Sequence, residues 1–179
     1  MSTKTLITVE EFAVMRTADD EQYELVDGEL VPLPTGNADH SFIRDILGHI
    51  LYAYFQKYQN GRATAEMDCR ILPEIIRRPD VSVFLLEKAQ RIDRKQYPIP
   101  FAPDIAVEIL SPSEFAMDLN RKIAEYMKAG CLEVWVIDHS SDKMFIHTDS
   151  NTVRVVRGGE TIETPLLPGF SISLHQLFE

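Results

Sequence analysis

A carboxylate inside an apolar, strand-like run is the first chemical signal in this chain. Glu108 interrupts Ala106-Val-Glu-Ile-Leu110, residues otherwise fit for an inner strand. Carboxylates rarely leave water without a partner, because desolvating the charge is costly. An edge strand, a salt bridge to an arginine, or one solvent-facing position on an alternating strand would each account for it without chemistry. Asp80 opens the preceding strand-like run directly after Pro79, where Pro-Asp is also ordinary turn composition. The pair says more than either member. Adjacent strand ends bring two carboxylates within a few ångströms, where a hard divalent cation that prefers oxygen ligands relieves their repulsion. Lys122 follows Asp118 by four residues. As an i, i+4 partner of Asp118 it is helix surface. With its helix packed back over the sheet, its ammonium instead reaches a cation-bound water or a scissile phosphate and offsets charge growing in the transition state.

The elements that position these residues can be read from periodicity and capping. Thr8-Val-Glu-Glu11 is a capping box and predicts a short helix through Phe12, Val14 and Met15. Tyr23-Glu-Leu-Val26 and Glu29-Leu-Val31 flank Asp27-Gly28, the dipeptide suited to a type I′ hairpin turn. Asn37 or Asp39 caps a longer helix whose apolar residues Phe42, Ile43, Ile46, Leu47, Ile50, Leu51 and Tyr54 keep helical spacing. Gly61 lies beyond its end, where a chain leaving a helix often needs positive φ. Strands are expected over 62–72, with an irregularity, and over 80–86 and 104–110. Ser111-Pro-Ser113 breaks the last of these, a helix over 115–129 follows, and a strand is expected over 133–138. That strand, helix, strand order predicts a right-handed crossover between two parallel strands. Segments 143–148, 152–157 and 160–163, with Gly158-Gly159 as a turn, read as an antiparallel extension before a short terminal helix over 174–178.

Composition bounds the reading. With 179 residues and 45% hydrophobic content, the chain is the size of one domain, 1–179, that can bury a core unaided. Cys69 and Cys131 show no ligand spacing and are expected to be reduced. Neither a signal peptide nor a membrane-spanning apolar run is visible, so a cytoplasmic location is expected. The formal net charge of -10 argues against a general polyanion binder. An enzyme acting on a phosphate polymer tolerates that balance if carboxylates are cation ligands and basic residues gather on one face. Arg70, Arg77, Arg78, Arg91, Arg94 and Lys95 are candidates for such a face, a solvated charged loop being the alternative. Glu66 and Asp68 share one face of a strand without a third ligand, Glu133 pairs with a neighbour beneath Trp135, and His49, His139, His147 and His175 lack metal spacing. Walker, Rossmann and Gly-x-Ser-x-Gly patterns are missing, which leaves nucleotide-triphosphate, dinucleotide and serine-hydrolase readings without a foothold.

Several motifs agree in order and spacing with a known family. Tyr23-Glu-Leu-Val-Asp-Gly-Glu29, His40 at a helix start, Pro79-Asp80, Glu108-Ile-Leu-Ser-Pro-Ser113, Asp118 with Lys122, and Glu133-Val-Trp-Val-Ile-Asp138 together resemble the Uma-two family of restriction-endonuclease-like proteins, from about Thr8 to Asp138. The resemblance implies a mixed α+β fold of the PD-(D/E)XK nuclease type, a mixed sheet flanked by helices that presents an acidic cluster at one end. By it, Asp80 matches the motif aspartate and Glu108 the acid of the second half-motif. Leu110 stands where the usual pattern has its lysine, so Lys122 matches a migrated lysine. Glu24 matches a further acid from the hairpin and His40 a residue near the mouth. An exposed strand carboxylate and a helix-capping histidine are the alternatives for those two.

The implied activity is metal-dependent endonucleolytic hydrolysis of nucleic acid, DNA being expected, with a 5′-phosphate and a 3′-hydroxyl as products. Asp80 and Glu108, with the backbone carbonyl of Ile109, would hold Mg²⁺ or Mn²⁺, which lowers the pKa of a water that attacks phosphorus. Lys122 would orient that water or offset the developing charge. A homodimer would let two sites address two strands, and the strands after Asp138 offer an edge for pairing. A non-catalytic nucleic-acid-binding or protein-interaction domain on the same fold stays open, because a fold does not guarantee its usual chemistry. The intact set of Asp80, Glu108 and Lys122 favours the enzyme.

Overall fold

The protein is described by a computed structural model covering residues 6–15, 22–34, 36–111, 116–149 and 151–179. Helix α1 (Val9–Val14) begins as its capping box requires: the Thr8 hydroxyl accepts the Glu11 N–H at 3.1 Å, and Glu11 returns a carboxylate to the Thr8 N–H at 2.8 Å. Strands β1 (Tyr23–Val26) and β2 (Glu29–Pro32) form the expected hairpin, with Asp27 and Gly28 both at positive φ, 50° and 81°. In helix α2 (Ala38–Tyr58) the cap is Asn37, whose side chain accepts the His40 N–H at 2.9 Å.

A six-stranded mixed sheet forms the centre, in the order β10 (Val153–Arg157), β9 (Lys143–His147), β8 (Glu133–Asp138), β7 (Ile105–Ile109), β6 (Val81–Leu85), β3 (Gly61–Ala65). Only β7 and β8 are parallel, joined through helix α4 (Ala116–Lys128) as the crossover rule requires. A second, four-stranded sheet orders β2, β1, β5 (Ile75–Arg77) and β4 (Cys69–Leu72). The alternation of side chains along β6, β7 and β8 gives the sheet two apolar faces. Val81, Val83, Ile105, Val107 and Trp135 pack with Ile43, Leu47 and Leu51 of α2. Phe84, Ala106, Val134 and Val136 pack with Ile123 and Tyr126 of α4 and with Cys69, Ile71 and Ile75 of the second sheet.

Four details depart from expectation. The run over 62–72 is two strands in two sheets, because Glu66 turns the chain at φ 49° and Met67-Asp68 carry it across. Glu66 and Asp68 therefore do not share a strand face: Glu66 meets Arg44 at 2.5 Å, while Asp68 is buried against Arg78. Helix α3 (Leu86–Arg91) follows β6 with no side-chain cap bond, so nothing in the sequence announces it. The segment at 160–163 leaves the antiparallel extension, and β11 (Thr161–Ile162) pairs instead with β12 (Ile172–Ser173) before a 3-10 turn at Leu174–Leu177. At the end of α2 the left-handed residue is Gln59, φ 52°. Gly61 serves a different need: a Cβ there would lie 2.5 Å from the Phe84 carbonyl oxygen and 2.7 Å from the Phe55 ring.

Candidate active site

Strands β6 and β7 are antiparallel with Val81 opposite Val107 and Ser82 opposite Ala106. Continued by one residue, that register sets Asp80 opposite Glu108 on the same side of the sheet. The Asp80 carboxylate confirms the placement chemically, since its Oδ2 accepts the Ile109 backbone N–H at 2.6 Å. Its Oδ1 lies 3.1 Å from Nε2 of His40, which α2 projects from the far side of the sheet end. That contact, opposed by burial, holds the His40 imidazole above its ordinary pKa. His40 is not the helix cap; Asn37 has that role.

Glu108 is buried in β7, and both its oxygens are met by α4. Lys122 Nζ donates to Oε2 at 3.0 Å, and the Tyr126 hydroxyl donates to Oε1 at 2.7 Å. Lys122 and Tyr126 are one helical turn apart, so a single face of α4 delivers both. Burial pushes the Glu108 carboxyl up to about 7, Asp80 and Glu24 push the same way, and Lys122 and the Tyr126 hydroxyl oppose them. Burial, and the negative field of Glu108 beside it, also hold the Tyr126 hydroxyl well above its ordinary value.

Glu24 joins the cluster from β1. It is buried rather than an exposed strand carboxylate, and its Oε2 lies 4.0 Å from Lys122 Nζ. Arg77 Nη1 donates to the same oxygen at 2.6 Å, and the Arg78 N–H donates to Oε1 at 2.9 Å. Arg77 also donates through Nε and Nη2 to Glu125 of α4, at 2.8 and 2.6 Å. Burial pulls the Arg77 guanidinium down, yet Glu24 and Glu125 together hold it above its ordinary value. The hairpin, β5 and α4 are thus tied behind Lys122 by one buried arginine.

The structure gathers all five anticipated side chains, Asp80, Glu108, Lys122, Glu24 and His40, at one end of β6 and β7. Asp118, the other partner considered for Lys122, lies 3.9 Å from Arg121 instead. Tyr126, Arg77 and Glu125 were not anticipated. Tyr126 carried a usable signal in its spacing from Lys122; Arg77 sat in a short charged stretch and carried none. The anticipated basic face does not form as one surface: Arg77 is buried in this network, Arg78 pairs bidentately with buried Asp68 and Arg70 binds the Pro73 carbonyl, while Arg91, Arg94 and Lys95 are exposed. Elsewhere, Glu133 accepts from Trp135 Nε1 at 2.7 Å and from the Thr164 hydroxyl at 2.6 Å. Cys69 and Cys131 are free and buried, and burial pushes each thiol up to about 12.

The donor set can be tested against a cation. Among the described residues no group of three or more His, Cys, Asp or Glu side chains is arranged to hold a metal. Two carboxylates on neighbouring strands nevertheless fit Mg²⁺, which keeps several waters and is bound through one or two carboxylates plus substrate phosphates. Each oxygen of Asp80 and Glu108 keeps an acceptor position beyond its present partner. Among the described residues Asp80 is paired with no lysine or arginine, its charged-group contact being the His40 imidazole, so a hard cation beside it would offset its charge.

No curated protein matches this chain. Among solved structures it is similar to a putative nuclease belonging to DUF820 from Anabaena variabilis, at 22% identity and a TM-score of 0.83, covering 96% of this chain and 97% of that one. At that identity the likeness establishes the fold, a mixed α+β arrangement shared over nearly the whole length. No helix among the described residues is long and apolar enough to cross a membrane. The sequence also matches the Uma2 family, described as "putative restriction endonuclease", over residues 9–175, and with the match spanning nearly all of it, the chain belongs to that family.

Proposed function

We propose that this protein is a divalent-cation-dependent endonuclease that hydrolyses phosphodiester bonds in DNA, with Asp80, Glu108 and Lys122 as its catalytic residues. The observation that carries the proposal is the placing of Glu108: a buried carboxylate opposite Asp80, with a lysine from the next helix 3.0 Å away, where the strand itself has Leu110. A structural ion pair would need no second acid at the same sheet end.

In this reading Asp80 and Glu108, joined by the Ile109 carbonyl, hold Mg²⁺ or Mn²⁺. The bound ion supplies Lewis-acid polarisation of the phosphate and a nucleophilic water near neutral pH. Asp80 is aimed by the Ile109 N–H and His40. Tyr126 keeps Glu108 from rotating away. Lys122, held between Glu108 and Glu24, offsets negative charge that grows on the phosphate oxygens. Glu24 acts as a positioning residue, since Arg77 and the Arg78 amide already engage its two oxygens. DNA is proposed from the family's description, and a homodimer would address both strands of a duplex.

A binding module without chemistry is the second reading, favoured by the net charge of -10 and by the number of arginines consumed in internal pairs. Cleavage of supercoiled and single-stranded DNA in Mg²⁺ or Mn²⁺ separates the two, with wild type compared against folded Asp80→Ala and Lys122→Ala. Metal-dependent nicking that falls by about 100-fold or more in both variants is expected. Equal cutting by the variants, or no cutting by the wild type, overturns the nuclease reading.

A further inference from the structure

The central sheet ends on one side at β3, whose outer edge pairs with no strand among the described residues. Along that edge runs a groove of about 600 Å³, walled by Tyr52 and Gln56 of α2, Arg62 and Thr64 of β3, and Arg94 and Gln96 of the loop after α3. Several cations elsewhere in the molecule are already committed to carboxylates. Arg44, Arg77, Arg78, Lys88, Arg121 and Lys122 all lie in ion pairs. Arg62 and Arg94 are exposed, and neither has an ion-pair partner among the described residues. The groove's carboxylate, Asp93, has one oxygen turned onto the Lys95 backbone N–H at 2.9 Å. In a chain of net charge -10 this edge is therefore locally positive. Tyr52, 59% exposed, adds a large aromatic face left in water.

The groove also leads to the acidic centre. Ala65 pairs with Val81, and the Glu66 N–H donates to the Asp80 carbonyl at 3.2 Å, so β3 runs out beside Asp80. Arg62 precedes Glu66 by four residues, about 13 Å of strand at 3.3 Å per residue. That is the rise of about four stacked nucleotides.

We propose that this edge groove is the track for one unpaired strand of the substrate, some four nucleotides from the bond cut at Asp80 and Glu108, a reading that rests on the nuclease assignment. Arg62 and Arg94 bind phosphates, and Tyr52 stacks on a base. Stacking on an exposed aromatic needs a base with a free face, and a groove of this volume is ligand-sized, too small to take in a duplex. The Gln56 and Gln96 amides can donate to and accept from sugar and base edges, with no fixed sequence preference. The substrate class that follows is single-stranded nucleic acid or a frayed duplex end.

The test is fluorescence anisotropy of a labelled 15-nucleotide oligothymidylate in EDTA, across a salt series, with wild type, Arg62→Ala, Arg94→Ala and Tyr52→Ala. All three positions are exposed, and folding is checked by circular dichroism. Each arginine variant is expected to bind several-fold more weakly and to reduce the log–log salt slope by about 0.7. Tyr52→Ala is expected to weaken binding by about fivefold or more with the slope unchanged. Unaltered binding and slopes in all three overturn the proposal. So does equal competition by polyglutamate, which would mark the edge as a site for an acidic peptide strand. Cleavage of the same oligonucleotide in Mg²⁺ is followed in parallel. Binding that depends on Arg62 and Arg94 without any cleavage keeps the track and removes the nuclease reading; cleavage with variant-insensitive binding does the reverse.

Discussion

The Asp80 carboxylate accepts the backbone N–H of Ile109 at 2.6 Å, across the boundary between β6 and β7. One side chain thus continues the strand pairing past the last backbone partner and turns its second oxygen toward His40. The geometry separates two roles that an alanine substitution would merge. Asp80→Asn keeps an amide oxygen for the Ile109 N–H, so its stability is expected within about 1 kcal/mol of wild type, whereas Asp80→Ala leaves that N–H without its partner at a cost of about 1–3 kcal/mol. Both are expected to lose cleavage. Urea unfolding beside a plasmid-nicking assay checks this, and an active Asp80→Asn would remove the carboxylate from the mechanism.

The pH dependence of the metal-free protein follows from Glu108. Its folded pKa, about 7, stands above the ordinary 4.5, so between those values the native state holds a proton that the unfolded chain has released. Stability from this group is fully present below about pH 4.5, declines as pH rises, and is gone above about pH 7, a change of at most about 3 kcal/mol. His40, raised through its bond to Asp80, adds the same sign: its contribution is present below its ordinary value of 6.5 and is lost as pH rises through the raised value. Asp138 and Asp149 are lowered, and they titrate beneath this window. His147, lowered by burial, opposes the trend, its contribution being gained as pH rises toward 6.5; it is a single partly buried group set against Glu108 and His40. Denaturant melts in EDTA from pH 5 to 8 are expected to slope downward, and Glu108→Gln to flatten most of that slope. A wild-type profile that rises across the window would contradict the burial of Glu108.

What could be read in the sequence is what depends on near neighbours. The capping box at Thr8, the hairpin at Asp27-Gly28 and the apolar stripe of α2 are set within a few residues, and they fold as read. Asp80 and Glu108 stood out because each sits at the edge of, or inside, an apolar strand. Lys122 could be joined to them only through the crossover and a family resemblance. The tie from Arg77 to Glu24 and Glu125 spans 53 and 48 residues, and β5 is three residues long, too short to show an alternation. A basic stretch read as a surface face therefore contained the most buried cation of the site. The same distance effect hid the jump at Glu66 from one sheet to the other.

Arg77 is expected to be the costliest polar residue to remove. It is 1% exposed and makes three donations to two carboxylates. Arg77→Met leaves buried Glu24 without its nearest countercharge, only Lys122 at 4.0 Å remaining among the described residues, and about 3–5 kcal/mol of destabilisation is expected. Adding Glu24→Gln is expected to recover part of that loss, because the uncompensated charge is then gone. A double-mutant cycle by urea unfolding measures the coupling. If Glu24→Gln makes Arg77→Met worse, the pair does not act as a charge-compensated unit.

Two glycines give opposite expectations from the same substitution. Gly61 begins β3 with Phe84 backbone and the Phe55 ring where a methyl would go, at 2.5 and 2.7 Å. The carbonyl belongs to a central strand and cannot move aside, so Gly61→Ala is expected to cost about 1–3 kcal/mol. In a domain of this size that lowers Tm by roughly 2–4 °C for each kcal/mol. Gly48 lies within α2 with nothing inside 4 Å of an added Cβ. There alanine reduces the freedom of the unfolded chain and favours the helix, and a gain of about 0.5–1 kcal/mol is expected. Calorimetry of the two variants should move Tm in opposite directions. Because Gly61 lies at the far end of β3 from Asp80, a shifted but still folded Gly61→Ala is also expected to retain cleavage at temperatures well below its Tm; a loss of activity there without unfolding would mean that the position of β3 is coupled to the acidic centre.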